Sequence, residues 1–314
     1  MKNLSQVILS ILLLSFQSCN TNEVKEPSIE NPNLKHFGFT LIDVGWDDPH
    51  DAALKTNYVD EIAGFTNMAD ILITSPDDNI IDRLQNMNQH QVKAILHLND
   101  LFFEHTGTGG QLSGQLYDLR SDYKARWNTF LVTNKLTLNS DMLQSFFIGE
   151  EPTWNSISFS ELKSAADYIK STITTVPILI IESYAAIHLL QIPSSIDWVG
   201  FDHYFIKNVM TDNMFKSELA LLKSKRTSAQ QKIVLVMDTH YISSVHGSFG
   251  ISETDMKSVA TSYYQLAKSD TNVVAILGYF WPGGFDDPSS KGARNLSQVV
   301  KDEHVKIGKA ITGK

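Results

Sequence analysis

Two adjacent carboxylates, Glu150 and Glu151, stand between a short apolar run and a proline in Ser145-Phe146-Phe147-Ile148-Gly149-Glu150-Glu151-Pro152-Thr153-Trp154. The apolar run has the composition of a buried strand, and proline disfavours any continuation of it. The pair therefore lies at the strand's carboxyl end and beyond it. A nearby like charge raises a carboxyl pKa, so one of two such acids can hold a proton near neutrality and deliver it to a leaving group. In parallel α/β architectures the carboxyl ends of strands are where chemistry is done.

Eight short runs of this kind follow one another: Phe37–Trp46, Ala69–Pro76, Val92–Asp100, Ser145–Pro152, Val176–Tyr184, Ile196–Tyr204, Lys232–Tyr241 and Val273–Pro282. Each is rich in Val, Ile, Leu and Phe without clean polar alternation, as expected of strands buried on both faces. Between them the spacing predicts amphipathic helices at Ile80–Gln91, Phe159–Thr172, Met214–Lys225 and Thr254–Lys268. Ser158-Phe159-Ser160-Glu161 is a capping-box signature, and Ser252 with Asp255 is an acidic equivalent. Eight strand–helix units in this length predict a single-domain α/β fold, the (β/α)8 TIM barrel, over residues 34–314. A doubly wound open sheet would more usually carry a Gly-rich turn after its first strand, and Asp43-Val44-Gly45-Trp46-Asp47 is not one.

The barrel reading gathers a set of polar and aromatic residues on one rim. They are Asp43 and Trp46 after the first strand, His97 and Asn99 after the third, Glu150 and Glu151 after the fourth, and Glu182 after the fifth. Asp202, His203 and Tyr204 follow the sixth strand, Asp238, His240 and Tyr241 the seventh, and Trp281 the eighth. The opposite ends of the strands carry no comparable set. Acids, imidazoles and aromatics on one rim suit a carbohydrate: carboxylates move protons and stabilise an oxocarbenium-like transition state, and aromatic faces stack on sugar rings.

The chain resembles a (β/α)8 glycoside hydrolase of the clan-A type. Gly149-Glu150-Glu151-Pro152 resembles the fourth-strand Asn-Glu-Pro motif, which implies Glu151 as general acid. Asp197-Trp198-Val199-Gly200-Phe201-Asp202-His203-Tyr204 is similar to the sixth-strand pattern that ends in an aromatic near the nucleophile. Trp281 matches the eighth-strand aromatic that floors a sugar subsite. The resemblance implies Asp238 as nucleophile or base, with Glu150 and Glu182 as alternative catalytic carboxylates. Two positions depart from the pattern: Glu150 stands where it has Asn, and Asp238 where it has Glu. The shorter Asp could widen the carboxylate gap, which leaves retention and inversion both open. Asp43, Trp46, His97, Asn99, Asp202, His203, Tyr204, His240, Tyr241 and Trp281 are the expected substrate-binding residues.

Other chemistries fare worse. Neither His-x-His after the first strand nor His-Glu-x-x-His occurs, so no metal and no cofactor is expected. Gly-x-Ser-x-Gly is likewise missing, which disfavours a serine hydrolase. The remaining rival is a non-catalytic glycan-binding lipoprotein that keeps a hydrolase-like barrel, since fold does not imply activity.

Net charge is −9 with no basic run, which argues against nucleic acid as a partner. Lys2 followed by the apolar Val7–Phe16 has the form of an export signal and is short for a membrane span. Ser18-Cys19 follows, and Cys19 is the single cysteine. The stretch resembles a bacterial lipoprotein signal, which implies a signal peptide over 1–18 and a lipidated Cys19. Residues 19–33 read as a polar tether. The expectation is an exported monomer on the outer membrane or cell surface, touching the membrane through that anchor only. The glycine-containing segment after Asp100 and the loop Gly283–Gly292 are expected to border the site.

Overall fold

A computed structural model describes residues 31–314; the expected signal peptide, Cys19 and most of the tether lie outside the described residues. The described chain forms ten strands: β1 (His36–Asp43), β2 (Met68–Leu72), β3 (Lys93–His97), β4 (Phe103–Thr108), β5 (Gln115–Leu119), β6 (Leu143–Glu150), β7 (Ile178–Ser183), β8 (Trp198–Asp202), β9 (Lys232–Asp238) and β10 (Val273–Tyr279). Eight of these close a parallel barrel in the order β1-β10-β9-β8-β7-β6-β3-β2. All eight predicted runs are its strands, and the fold is the (β/α)8 barrel.

The helices are α1 (Val59–Ile62), α2 (Ile81–Gln89), α3 (Asn99–Phe102), α4 (Tyr123–Asn134), α5 (Phe159–Thr172), α6 (Asn213–Lys225), α7 (Ser243–Ser248), α8 (Met256–Ser269) and α9 (Gln298–Thr312). Ser158 and Glu161 cap α5 reciprocally, as the sequence predicts. Ser252 and Asp255 do the same for the turn that leads into α8. One unit differs from the expectation: β7 is followed by a 3-10 turn, Tyr184–Ala186, rather than a full helix. Only 14 residues separate β7 from β8, and Pro193 interrupts them.

Apolar residues fill two layers. Met68, Ile95, Phe147, Leu179, Ile181, Trp198, Val234, Val236, Ala275 and Leu277 pack inside the barrel. A larger core, with Phe37, Phe39, Phe146, Phe201 and Trp127, lies between strands and helices. The segment after Asp100 folds as the antiparallel hairpin β4–β5 and not as an irregular loop. Asn31 donates from its side chain to the carbonyls of Ala267, Asp270 and Val273, which pins the entering chain to the end of α8 and the start of β10.

Candidate functional site

The carboxyl ends of the strands surround two cavities, an inner one of about 460 Å³ and an outer one of about 790 Å³. Glu151, Asp202 and Tyr204 line both, so the two spaces meet at these side chains. Consecutive residues of a regular strand point to opposite faces. Here the pairing of β6 with β7 shifts register between Phe147 and Gly149, and Glu151 takes a left-handed φ of 46°. That break lets Glu150 and Glu151 both reach the cleft.

Burial is the leading cause of the unusual acidities here. It pushes Glu150 up to about 8, with the charges of Glu151, Asp286, Asp70 and Glu182 adding to the effect. His97 Nε2 lies 3.6 Å from the Glu150 carboxylate. Burial takes that imidazole down to about 4, so it faces Glu150 as a neutral ring. Glu151 is raised to about 7 by burial and then by Glu182, with a Ser183 hydrogen bond opposing. Asp202 is raised well above the ordinary range by burial and by the charges of Glu151, Glu150 and Glu182. Near neutrality these groups share protons, which is the condition for acid–base work.

Aromatic rings line the same space. Tyr204 stacks on Tyr279 with centroids 5.1 Å apart, and the Tyr279 hydroxyl donates to Asp286 at 2.8 Å. Tyr184 stacks on His203 at 3.8 Å, and His203 Nδ1 is held 2.6 Å from Glu218. His97 stacks on Phe147 at 4.5 Å.

Of the residues expected from the sequence, Glu150, Glu151, His97, Asp202, His203 and Tyr204 line the cavities. The others are engaged elsewhere. Asp43 is bound by Arg83 Nε at 2.9 Å beside β1. Trp46 donates its indole N–H to the Gly283 carbonyl. Asn99 is buried in α3. Tyr241 pairs its backbone with Lys291. Glu182 is fully buried and accepts the backbone N–H groups of Thr153, Trp154 and Ser183 at 2.8–3.1 Å. Trp281, expected as a sugar platform, packs into the core against Phe39 at 4.8 Å and donates to Glu61. The aromatic that β10 presents to the cleft is Tyr279, two residues earlier.

Asp238 is the largest departure. Its side chain is 1% exposed and lines neither cavity. Its carboxylate accepts the Phe205 N–H at 2.9 Å and lies 3.3 Å from both His240 Nδ1 and His246 Nε2. Asp202 lines both cavities together with Glu151, and Asp70, Glu150 and Asp286 line the inner one. Asp238, His240 and His246 are also the one group among the described residues close enough to hold a metal ion. His246 Nδ1 lies 3.0 Å from the Ile242 N–H and 3.2 Å from the Ile242 carbonyl, while Nε2 faces Asp238. The trio is thereby suited to a buried hydrogen-bond network.

Sequence reasoning missed Asp70, Tyr184, Tyr279 and Asp286. Asp70 lies inside a predicted strand, and its period-2 offset from the interior residue Met68 was the available signal. Burial raises it to about 6 although it accepts the Ile42 and Leu41 amides, where β1 bulges. Asp286 and Phe285 come from the predicted bordering loop 283–292 and line the inner cavity.

No family pattern and no curated protein matches the chain. Solved structures do. The chain is similar to xylanase 10B from Thermotoga maritima, at 13% identity and a TM-score of 0.58, over 91% of this chain and 98% of that one. It is similar to a glucosidase from Croceicoccus marinus at 9% identity and a TM-score of 0.58, over 89% and 67%. A beta-glucuronidase from an uncultured Clostridium sp. aligns at 14% identity and a TM-score of 0.59, over 88% of this chain and 50% of that one. At these identities the likeness establishes the barrel.

Proposed function

We propose that the protein is a glycoside hydrolase that cleaves an oligo- or polysaccharide with Glu151 as general acid and Asp202 as the second carboxylate. The observation that carries this reading is the shared lining. Glu151, Asp202 and Tyr204 stand where two cavities meet, and an acid that protonates a glycosidic oxygen must stand between two sugar subsites. Glu151 would give its proton to the leaving oxygen as the C1–O bond breaks. Asp202 would take a proton from an attacking water or attack C1 itself, while Tyr204, Tyr279 and Tyr184 provide sugar-facing rings. Supporting the reading, barrels of this shape include a xylanase, a glucosidase and a beta-glucuronidase. Asp238, the sequence candidate for the second role, would act indirectly, through Phe205 and the histidines that enclose it.

The test is a glycan panel screened with the chain from Asn20 onward, followed by Glu151→Gln, Asp202→Asn and Asp238→Asn. Loss of about 10²–10⁴-fold in kcat is expected for Glu151→Gln and Asp202→Asn. Near wild-type turnover by either sinks the assignment. Export and lipidation at Cys19 belong to the same proposal: radiolabelled palmitate should enter the wild-type protein and not Cys19→Ser.

A further inference from the structure

The inner cavity has a charge character that the proposed hydrolysis does not by itself require. Five carboxylates line it, from Asp70, Glu150, Glu151, Asp202 and Asp286, and among the described residues its lining holds no Lys or Arg. Its one imidazole, His97, is kept neutral by burial. A cavity of about 460 Å³ is ample for a sugar ring. Asp202, one of the five, has few donors of its own. It is 8% exposed, and its one side-chain hydrogen bond among the described residues is from the Tyr204 hydroxyl, at a long 3.4 Å. A carboxylate so buried ordinarily has its lone pairs satisfied by donors. Here the side chain lines both cavities instead.

Resting on the hydrolase reading, we propose that the inner cavity selects its sugar by charge, taking one that carries a protonated amine ahead of its neutral counterpart and refusing uronates. An ammonium brings three N–H donors and a positive charge to the acids that crowd one another here, and it relieves their repulsion. A uronate would bring a sixth carboxylate into the same space with no cation to meet it, and like charges at short range in a partly desolvated site are strongly unfavourable. The groups facing a bound amine would be Asp70 on β2, His97 on β3, Glu150 and Glu151 after β6, Asp202 on β8, and Tyr279 with Asp286 around β10.

The test measures binding of glucosamine, galactosamine, mannosamine, glucose and glucuronate to the wild-type protein at pH 7 by ligand-observed NMR. At least one amino sugar should bind ten-fold or more tighter than glucose, and more weakly at 0.5 M salt than at 0.05 M. Glucuronate should not bind. Asp286→Asn, at the exposed edge of the cavity, should narrow the amine-to-glucose ratio at least three-fold. Equal affinity for glucose and the amines, no binding by any amine, or binding of glucuronate overturns the proposal. Hydrolysis of neutral glycans without amine preference would remove this inference and leave the hydrolase reading standing. Amine preference in a protein that cleaves no glycan would do the reverse.

Discussion

Glu151 is the residue on which the proposed reaction turns, and its environment sets the pH at which that reaction runs. An isolated glutamic acid titrates near 4.5, whereas burial and the Glu182 charge lift Glu151 to about 7. A general acid must be protonated, so the alkaline limb of the activity profile should begin near pH 7 and fall about ten-fold per unit above it, while the raised Asp202, which must be ionised, sets an acid limb. An alkaline limb that begins near pH 5 would remove Glu151 from the role. Glu150 gives a stability counterpart. Its pKa is raised to about 8, so between the ordinary glutamate value and 8 the folded chain binds a proton that the unfolded chain has released. Stability from this site is therefore greatest at low pH and declines as pH rises through that window. Glu150→Gln mimics the protonated form, so its Tm advantage over wild type should be larger at pH 8 than at pH 5. Since 42% of the Glu150 side chain is exposed, solvent screening keeps the effect modest. The Glu150-Glu151 pair was legible in the sequence because two acids beside a proline at a strand end are unusual. Its partner was not. Asp238 and Asp202 both end barrel strands, and their separation into enclosed and cleft-lining carboxylates depends on where the Phe205 amide and His246 fall, which strand counting does not reveal.

At the scale of elements, the join between β6 and β7 matters most. Glu182, one residue before the end of β7, has both oxygens committed to backbone amides, two of them from the loop that follows Glu151. Glu151 in turn donates its own N–H to the Ile181 carbonyl at 2.7 Å. The loop is thus held at both ends by β7, and this fixes the left-handed backbone of Glu151. Replacing Glu182 by Ala would leave buried N–H groups without acceptors, at about 1–3 kcal/mol each. A loss of about 3 kcal/mol or more in urea melts, with an unchanged m-value, is expected. An unaltered midpoint would mean the clamp contributes nothing. The strands and the capped helix α5 were readable because hydrophobic period and the Ser158–Glu161 box are local signals. The hairpin β4–β5 was not, since its pairs, such as His105 with Tyr117, join largely polar strands that lie mostly at the surface. The missing helix after β7 is also a matter of length, visible only once the β7 and β8 bounds are known.

For the whole molecule, barrel closure brings the first and last strand units together, and one side chain fastens them. Arg294, in the turn after β10, reaches Glu61 on α1 through two nitrogens at 2.9 and 3.1 Å, Asp48 in the loop after β1 at 3.1 Å, and Asp51 beside it. Its guanidinium also lies 5.0 Å from the centre of the Tyr58 ring. Asp48 accepts the Gly283 N–H, and Glu61 accepts the Trp281 indole N–H, so the first and last units of the barrel converge on this cation. The same engagement keeps Trp281 in the core and leaves Tyr279 to face the cleft. Arg294 is 17% exposed and Asp48 fully buried at the side chain. Deleting the cation would strand carboxylates in a poorly solvated place, and breaking such a buried pair from one side costs about 3–5 kcal/mol. Arg294→Ala should therefore lower stability by that order. Adding Glu61→Gln to it should recover part of the loss, because the double variant no longer buries the Glu61 charge unpaired. Lysine offers the charge without the planar fork that engages Glu61 through two nitrogens, so Arg294→Lys should fall between wild type and Ala. Thermal melts of wild type, Arg294→Ala, Glu61→Gln, the double variant and Arg294→Lys decide the matter: strict additivity of the two single losses would show that Arg294 and Glu61 act independently, and a melting temperature of Arg294→Ala equal to wild type would show that the barrel seam holds without them.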